Sequence, residues 1–177
     1  NLAVTIPSNP SLANFEAVYN NKFAMRALFQ NNLIIGGGVM VLVAGVATMA
    51  SYGLSRTHVP GRDVLVYVLI LFSSVVSGTA AMVPIFLLVF RLGLIDTYAG
   101  VILVMTGGLL PSAIFIMRDF IDSIPRSYEE AALVCGASSL RVFRDVALPM
   151  VRPGVVVVAI WAFVNAWGAF LIPSVLL

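Results

Sequence analysis

Residues 33–54 hold no charged side chain at all, a run long enough to cross a bilayer as one helix, for which about 20 mostly apolar residues suffice. The run is rich in small residues (Gly36, Gly37, Gly38, Ala44, Gly45, Ala47), which let helices approach closely in lipid. Comparable runs follow at 64–82, at 98–117, where Gly107, Gly108 and Pro111 are expected to interrupt the helix, and at 154–172. Between the second and third, IFLLVFRLGLIDTYAG reads as a short interfacial helix and a turn.

With 60% of its residues hydrophobic, 10% charged and a mean hydropathy of +1.04, the chain has the composition of a polytopic membrane protein, since soluble domains carry roughly 25% charged residues. The fold class expected is all-α, a membrane helical bundle. A net charge of +2 without any basic run argues against a nucleic-acid partner. One cysteine, Cys135, and one histidine, His58, leave no internal disulfide and no expected metal site. The segment 1–30 is polar and loop-like with no signal-peptide pattern, and the chain ends in the apolar LIPSVLL. Both ends read as those of a fragment, with a helix expected before the first residue, an extracytoplasmic segment at 1–30 and a transmembrane domain at 31–177.

Orientation follows from the basic residues. Arg56, Arg62, Arg118, Arg126, Arg141, Arg144 and Arg152 fall on one side of the four spans, and Lys22, Arg26 and Arg91 on the other. That imbalance puts the connection 118–153 in the cytoplasm. This connection contains EEAALVCGASSLRVFRDVALP, a polar, helical stretch inside an otherwise apolar chain. Ser127 to Glu130 has the spacing of a capping box, and Glu129 and Glu130 suit the positive end of a helix. Gly136 fits the left-handed residue that stops it. Ser138 or Ser139 can cap a second helix that Pro149 closes, with Leu140, Phe143 and Ala147 on one face. The stretch therefore reads as a two-helix knob.

Glu130-Ala131-Ala132, then Gly136, then Leu148-Pro149 closely resembles the cytoplasmic coupling loop, or EAA loop, of ABC-importer permease subunits. SLANFEAVY, ALFQNNLII, ASYGLSRTHVPGRD, RLGLIDTYAGVIL and LPSAIFIMRDFIDSIPRSYEEAA extend the resemblance over nearly the whole chain, to the carbohydrate-uptake, maltose-type permeases. The resemblance implies a permease subunit working by alternating access in a bacterial or archaeal cytoplasmic (inner) membrane. Its partners would be two ATP-binding subunits, a second permease subunit of different sequence and an extracytoplasmic solute-binding protein. ATP and Mg would sit on the partner ATPase, leaving no cofactor in this chain. On the same resemblance Glu129, Glu130, Ala131, Ala132, Gly136, Ser138, Leu148 and Pro149 form the ATPase-coupling set. The small alanines let a backbone sit against the ATPase, and Glu130 offers a charge to pair there.

Polar groups at membrane depth mark a pathway or a helix contact. Ser73, Ser77 and Thr79 in the second span, and Asn165 and Trp167 in the fourth, are the candidate substrate contacts; Ser73 and Ser77 are four apart on one face. Two departures from the family pattern stand out. Cys135 replaces an acidic residue before the glycine. Trp167-Gly168-Ala169-Phe170 lacks the Asn and acidic residue usual after that Trp, so the partner permease carries most of the binding or the cargo is bulkier or less polar. An ABC permease for a phosphodiester, peptide or amino acid is the alternative, and a structural membrane protein a remote one. An enzyme is not expected: no Walker motif occurs, the only lysine is Lys22, and no Asp, Glu or His lies within a span.

Overall fold

The computed structural model describes residues 16, 19–57, 61, 64, 67, 68, 70, 71, 81–169 and 171–176, the side chains at 23, 24, 27, 28 and 171 excepted. Its regular elements are helices. A short α1 (Lys22–Arg26) passes through a π turn (Ala27–Asn31) into the long α2 (Asn32–Arg56). Then come α3 (Met82–Arg91), the long α4 (Tyr98–Asp122) and α5 (Arg126–Val134). A second arm consists of α6 (Ser139–Val142), a π turn (Phe143–Ala147) and α7 (Leu148–Met150), and it leads into α8 (Arg152–Gly168) and α9 (Leu171–Leu176).

Among the described residues two helices are long and apolar enough to cross a membrane, Phe29–Arg56 and Tyr98–Asp122; a third counts if Ser139–Met150 and Arg152–Gly168, bent by 74°, form one broken span. These helices overlap the runs at 33–54, 98–117 and 154–172. The run at 64–82 lies mostly outside the described residues, although Tyr67, which is helical, meets the Phe115 ring at 5.9 Å between centroids.

The core forms where α2, α4 and α8 lay rows of every fourth residue against one another. On α2 the buried row is Ile35, Val39, Val43, Ala47, Ser51 and Ser55; on α4 it includes Val101, Met105, Ala113, Met117 and Ile121; on α8 it is Gly154, Val158, Ala162 and Ala166. Such i±4 rows are the ridges that helices interdigitate. The opposite faces, with Val41 and Met49 on α2 and Ile160 and Val164 on α8, are exposed and apolar, which suits lipid or a neighbouring subunit.

Close approach of α8 to α4 depends on Gly154, where an added Cβ would lie 2.5 Å from Phe120 Cγ and 2.8 Å from its Cβ. The root of a side chain cannot swing aside without moving its helix. Gly154→Ala is therefore expected to destabilise the bundle by about 1–3 kcal/mol through overpacking. Gly45→Ala, with nothing within 4 Å, is expected to leave it unchanged. Thermal melting of the purified protein in detergent compares the two; equal melting temperatures would show that α8 does not sit this close to α4.

The helix over 98–117 and the run at 154–172 both differ from expectation. Helix α4 is not interrupted at Gly107, Gly108 and Pro111 but runs on to Asp122, past the expected end at 117. The carbonyl that the Pro111 ring would strike, four residues back, belongs to Gly107, and membrane helices absorb such prolines when neighbours satisfy the backbone. The last span starts at Arg152 and breaks at Ala169, which is extended (φ −79°, ψ 121°). Pro173 explains that break: its ring excludes the carbonyl of residue 169 from a continuous helix, and it sits instead in the first turn of α9, where no N–H is needed. The end of α9 is held by the Asp96 N–H, which donates to the Leu176 carbonyl at 2.9 Å.

Candidate functional site

The knob between α4 and α8 is built from local capping chemistry. Helix α5 starts after Pro125 with no side-chain cap, so Ser127 lies in its first turn and the capping box expected between Ser127 and Glu130 does not form. Pro125 enters the helix extended (φ −60°, ψ 130°), and its carbonyl accepts from the Tyr128 N–H at 3.3 Å. At the other end Gly136 has φ +82°. Its N–H donates to the Leu133 carbonyl at 2.9 Å and the Ala137 N–H to the Ala132 carbonyl at 3.1 Å. This pair of bonds is the Schellman stop, which satisfies the last carbonyls of a helix. Ser138 then caps the second arm, its side chain accepting from the Arg141 N–H at 3.4 Å.

That arm does not end at Pro149. It widens into the π turn Phe143–Ala147, with the Leu148 N–H donating to the Phe143 carbonyl, and continues to Met150. A proline lacks the N–H and crowds the carbonyl four residues back, and a wider turn accommodates both. Leu140 was expected on the buried face but is 72% exposed, and Val142 takes that place at 2%, beside Ala147 at 1%.

The two adjacent carboxylates face in different directions. Glu129 is buried against the end of α2, where its Oε1 accepts from Arg56 Nε at 2.8 Å and lies 2.6 Å from Arg56 Nη2. Its Oε2 accepts from the Tyr52 hydroxyl at 3.1 Å. Arg56 Nη2 also donates to the carbonyls of Ile121 (3.3 Å) and Ile124 (3.4 Å), where α4 ends. Ser55 donates to Asp122, which also pairs with Arg118 at 3.2 Å, and Arg126 donates to the Ser55 carbonyl at 3.4 Å. Tyr52 meets the Phe143 ring at 4.8 Å, so the end of α2 touches both arms of the knob.

Glu130 is exposed, as are Ala131, Gly136, Ser138 and Pro149, while Ala132 and Leu148 are half-buried. Around Glu130 and Ala131 the outer surface carries Tyr128, Leu133, Val134 and Leu140, all exposed and apolar, with Val134 at 89%. Cys135 is exposed. Sequence reasoning used Arg56 only as a loop charge and did not use Tyr52; the spacing Ser51, Tyr52, Ser55, Arg56 at the end of a span was the available signal.

Of the candidate substrate contacts, Ser73, Ser77 and Thr79 lie outside the described residues. Asn165 is exposed on α8, its amide donating to the Trp161 carbonyl at 2.8 Å. Trp167 is half-buried against the Phe163 ring at 5.6 Å. The structure does not bring these two together with the knob, which lies at the opposite end of α8. Among the described residues no group of three or more His, Cys, Asp or Glu could hold a metal ion.

Residues 56–177 match the family described as "Binding-protein-dependent transport system inner membrane component". The maltodextrin transport system permease protein of Bacillus subtilis is 35% identical over 150 residues, 84% of this chain and 53% of the relative. The diacetylchitobiose uptake system permease protein of Streptomyces coelicolor is 37% identical over 84% of this chain and 49% of its own length. The chain thus spans about half the length of these curated relatives. A solved bacterial ABC transporter involved in the import of the acidic polysaccharide alginate matches with a TM-score of 0.72 and 26% identity, over 94% of this chain and 57% of that one.

Proposed function

This chain belongs to the family of binding-protein-dependent transport system inner membrane components, and from that we propose that it is the transmembrane permease subunit of an ATP-driven importer of a carbohydrate or sugar derivative. The observation that carries the reading is the knob: a rigidly stopped helix whose outward surface combines one free carboxylate, Glu130, with exposed Tyr128, Leu133, Val134 and Leu140. Exposed aromatic and aliphatic side chains around a charge are what a docking surface needs. The carbohydrate class rests on the names of the relatives, a maltodextrin transport system permease and a diacetylchitobiose uptake system permease.

In this reading the chain catalyses nothing. Two separate ATPase subunits bind ATP and Mg, and their closure displaces the knob. The helices on either side, α4 and α8, then change which side of the membrane the pathway opens to. A second permease subunit completes the pathway, a solute-binding protein delivers cargo from outside, and the whole sits in a bacterial or archaeal cytoplasmic membrane. The coupling set would be Glu130, Ala131, Ala132 and Gly136 at the contact, with Ser138, Leu148 and Pro149 shaping the second arm. Asn165 and Trp167, with Ser73, Ser77 and Thr79, are the proposed pathway residues.

The test is ATP hydrolysis and uptake by the complete transporter in lipid vesicles, with its binding protein and a panel of sugars, phosphodiesters, peptides and amino acids. Stimulation by a sugar-loaded binding protein is the expected result; stimulation only by another class keeps the importer and removes the sugar, and failure of any ATPase to co-purify removes both. Glu130→Gln is expected to weaken retention of the ATPase by about 5- to 150-fold, the span of a hydrogen-bonded charge contact of roughly 1–3 kcal/mol. Because Glu130 is exposed, the same variant should melt at the unaltered temperature.

A further inference from the structure

The knob is joined by its own backbone to α4 before it and α8 after it. Helix α2 has no such covalent link, yet its last turn makes the tightest polar contact that the knob has. Arg56 meets Glu129 across 73 positions of sequence with two nitrogens on one carboxylate oxygen, while Tyr52 holds the other oxygen. The guanidinium is fixed from a third direction by the Ile121 and Ile124 carbonyls. Independently, the Tyr52 ring lies against Phe143 on the second arm, and Arg126 at the start of α5 donates to the Ser55 carbonyl. Glu129 is 7% exposed, whereas its neighbour Glu130 is open to solvent.

We propose that Glu129, unlike Glu130, makes no contact with the ATPase but is the inner end of a strut, Glu129–Arg56 with Tyr52, that carries displacement of the knob into α2. The proposal rests on the importer reading above. A knob attached only through its backbone would move α4 and α8 and leave α2 to follow through side-chain packing. With the strut, one push reaches all three helices whose buried rows form the core, and they move as a body. A planar guanidinium suits the task because its donors are held in fixed directions, which a lysine could not provide. Glu129 and Arg56 are positioning residues: they touch neither nucleotide nor cargo.

The experiment measures solute imported per ATP hydrolysed by the complete transporter in vesicles, using the full-length chain with its partner permease, ATPases and loaded binding protein. Glu129→Gln keeps the shape and one acceptor oxygen but removes the charge and replaces the other oxygen with an NH2 donor. Tyr52→Phe removes one hydrogen bond and keeps the ring on Phe143. With the ATPase retained in the complex, Glu129→Gln is expected to lower the ratio about 10-fold, and Tyr52→Phe about 2- to 3-fold. The double variant should be no worse than Glu129→Gln alone, because the two act through one link. If Glu129→Gln releases the ATPase while leaving the folded protein intact, Glu129 faces the partner and the strut is overturned. A lower yield of folded complex with an unchanged ratio also overturns it, since the pair is then only structural. Should Glu129→Gln fail to assemble, an unchanged ratio in Tyr52→Phe does the same. An unaltered transporter that shows no ATP-driven uptake refutes the importer reading itself, a result distinct from all of these.

Discussion

A Gly136→Pro transporter should hydrolyse ATP without importing solute. Gly136 holds φ at +82°, and a proline ring confines φ to about −65°, so the turn between the two arms cannot form. The same change removes the N–H that donates to the Leu133 carbonyl, and with the turn lost the bond from Ala137 to Ala132 has no geometry left. The angle between the arms is then undefined, and closure of the ATPases would bend the knob instead of moving the span behind it. Milder substitutions should grade the effect, because an added Cβ at this position meets nothing within 4 Å and only the backbone matters. Gly136→Asn, whose side chain tolerates the left-handed region, should lose least, and Gly136→Ala should cost about 1–2 kcal/mol. Uptake in vesicles should rank Gly, Asn, Ala, then Pro. Equal losses for alanine and proline would mean that the partner reads the glycine surface, and full uptake with proline would remove the joint from the mechanism.

Gly136 was legible in the sequence, and the cap was narrowed to Ser138 or Ser139, because both act on their own neighbours. A glycine four residues after an alanine pair, followed by a serine, fixes a stop and a cap without reference to the rest of the fold. The long helices over Phe29–Arg56 and Tyr98–Asp122 were legible for a similar reason, since charge-free runs report a solvent and not a partner. Pro111 and Pro149 were read as breaks because proline is costly inside a helix in isolation. In the folded chain neither ends its helix: α4 continues through Pro111, and a π turn precedes Pro149. The phase of the second arm was misread at Leu140. A four-residue helix, α6, contains too little periodicity to say which side faces inward, and the Tyr52 ring, placed by α2, selects Phe143.

The division between Glu129 and Glu130 was the least legible feature of the site. Adjacent residues on a helix are turned about 100° apart, so one of two neighbouring acids must differ in setting from the other. Which of them turns inward depends on where Arg56 stands, and that is settled by the packing of α2 on α4. The buried row on α2 begins as Ile35, Val39, Val43 and Ala47 and ends as Ser51 and Ser55. It changes from apolar to hydroxyl at the end where the Ile114 carbonyl, Asp122 and Glu129 await partners, and Ser51 donates to that carbonyl at 2.9 Å. The polar end of an otherwise apolar row marks where α2 turns from packing on α4 to bonding the end of α4 and the knob.

Removing Arg56 should be far more damaging than removing the pair. Arg56→Ala leaves the Glu129 carboxylate, only 9% exposed at its side chain, with the Tyr52 hydroxyl as its remaining donor. Breaking a buried ion pair from one side costs about 3–5 kcal/mol, because a charge stays desolvated without compensation. It also frees the Ile121 and Ile124 carbonyls at the end of α4. Glu129→Ala should cost less, since Arg56 keeps those carbonyls and its side chain, at 14% exposure, is nearer to water. In Arg56→Ala/Glu129→Ala no charge is stranded, so the double variant should be more stable than Arg56→Ala alone, an interaction opposite in sign to simple addition. Thermal melting of the four proteins in the same detergent completes the cycle. Strict additivity would mean that Glu129 reaches water once Arg56 is gone, and the carboxylate would then not be buried in the sense that the contact geometry requires.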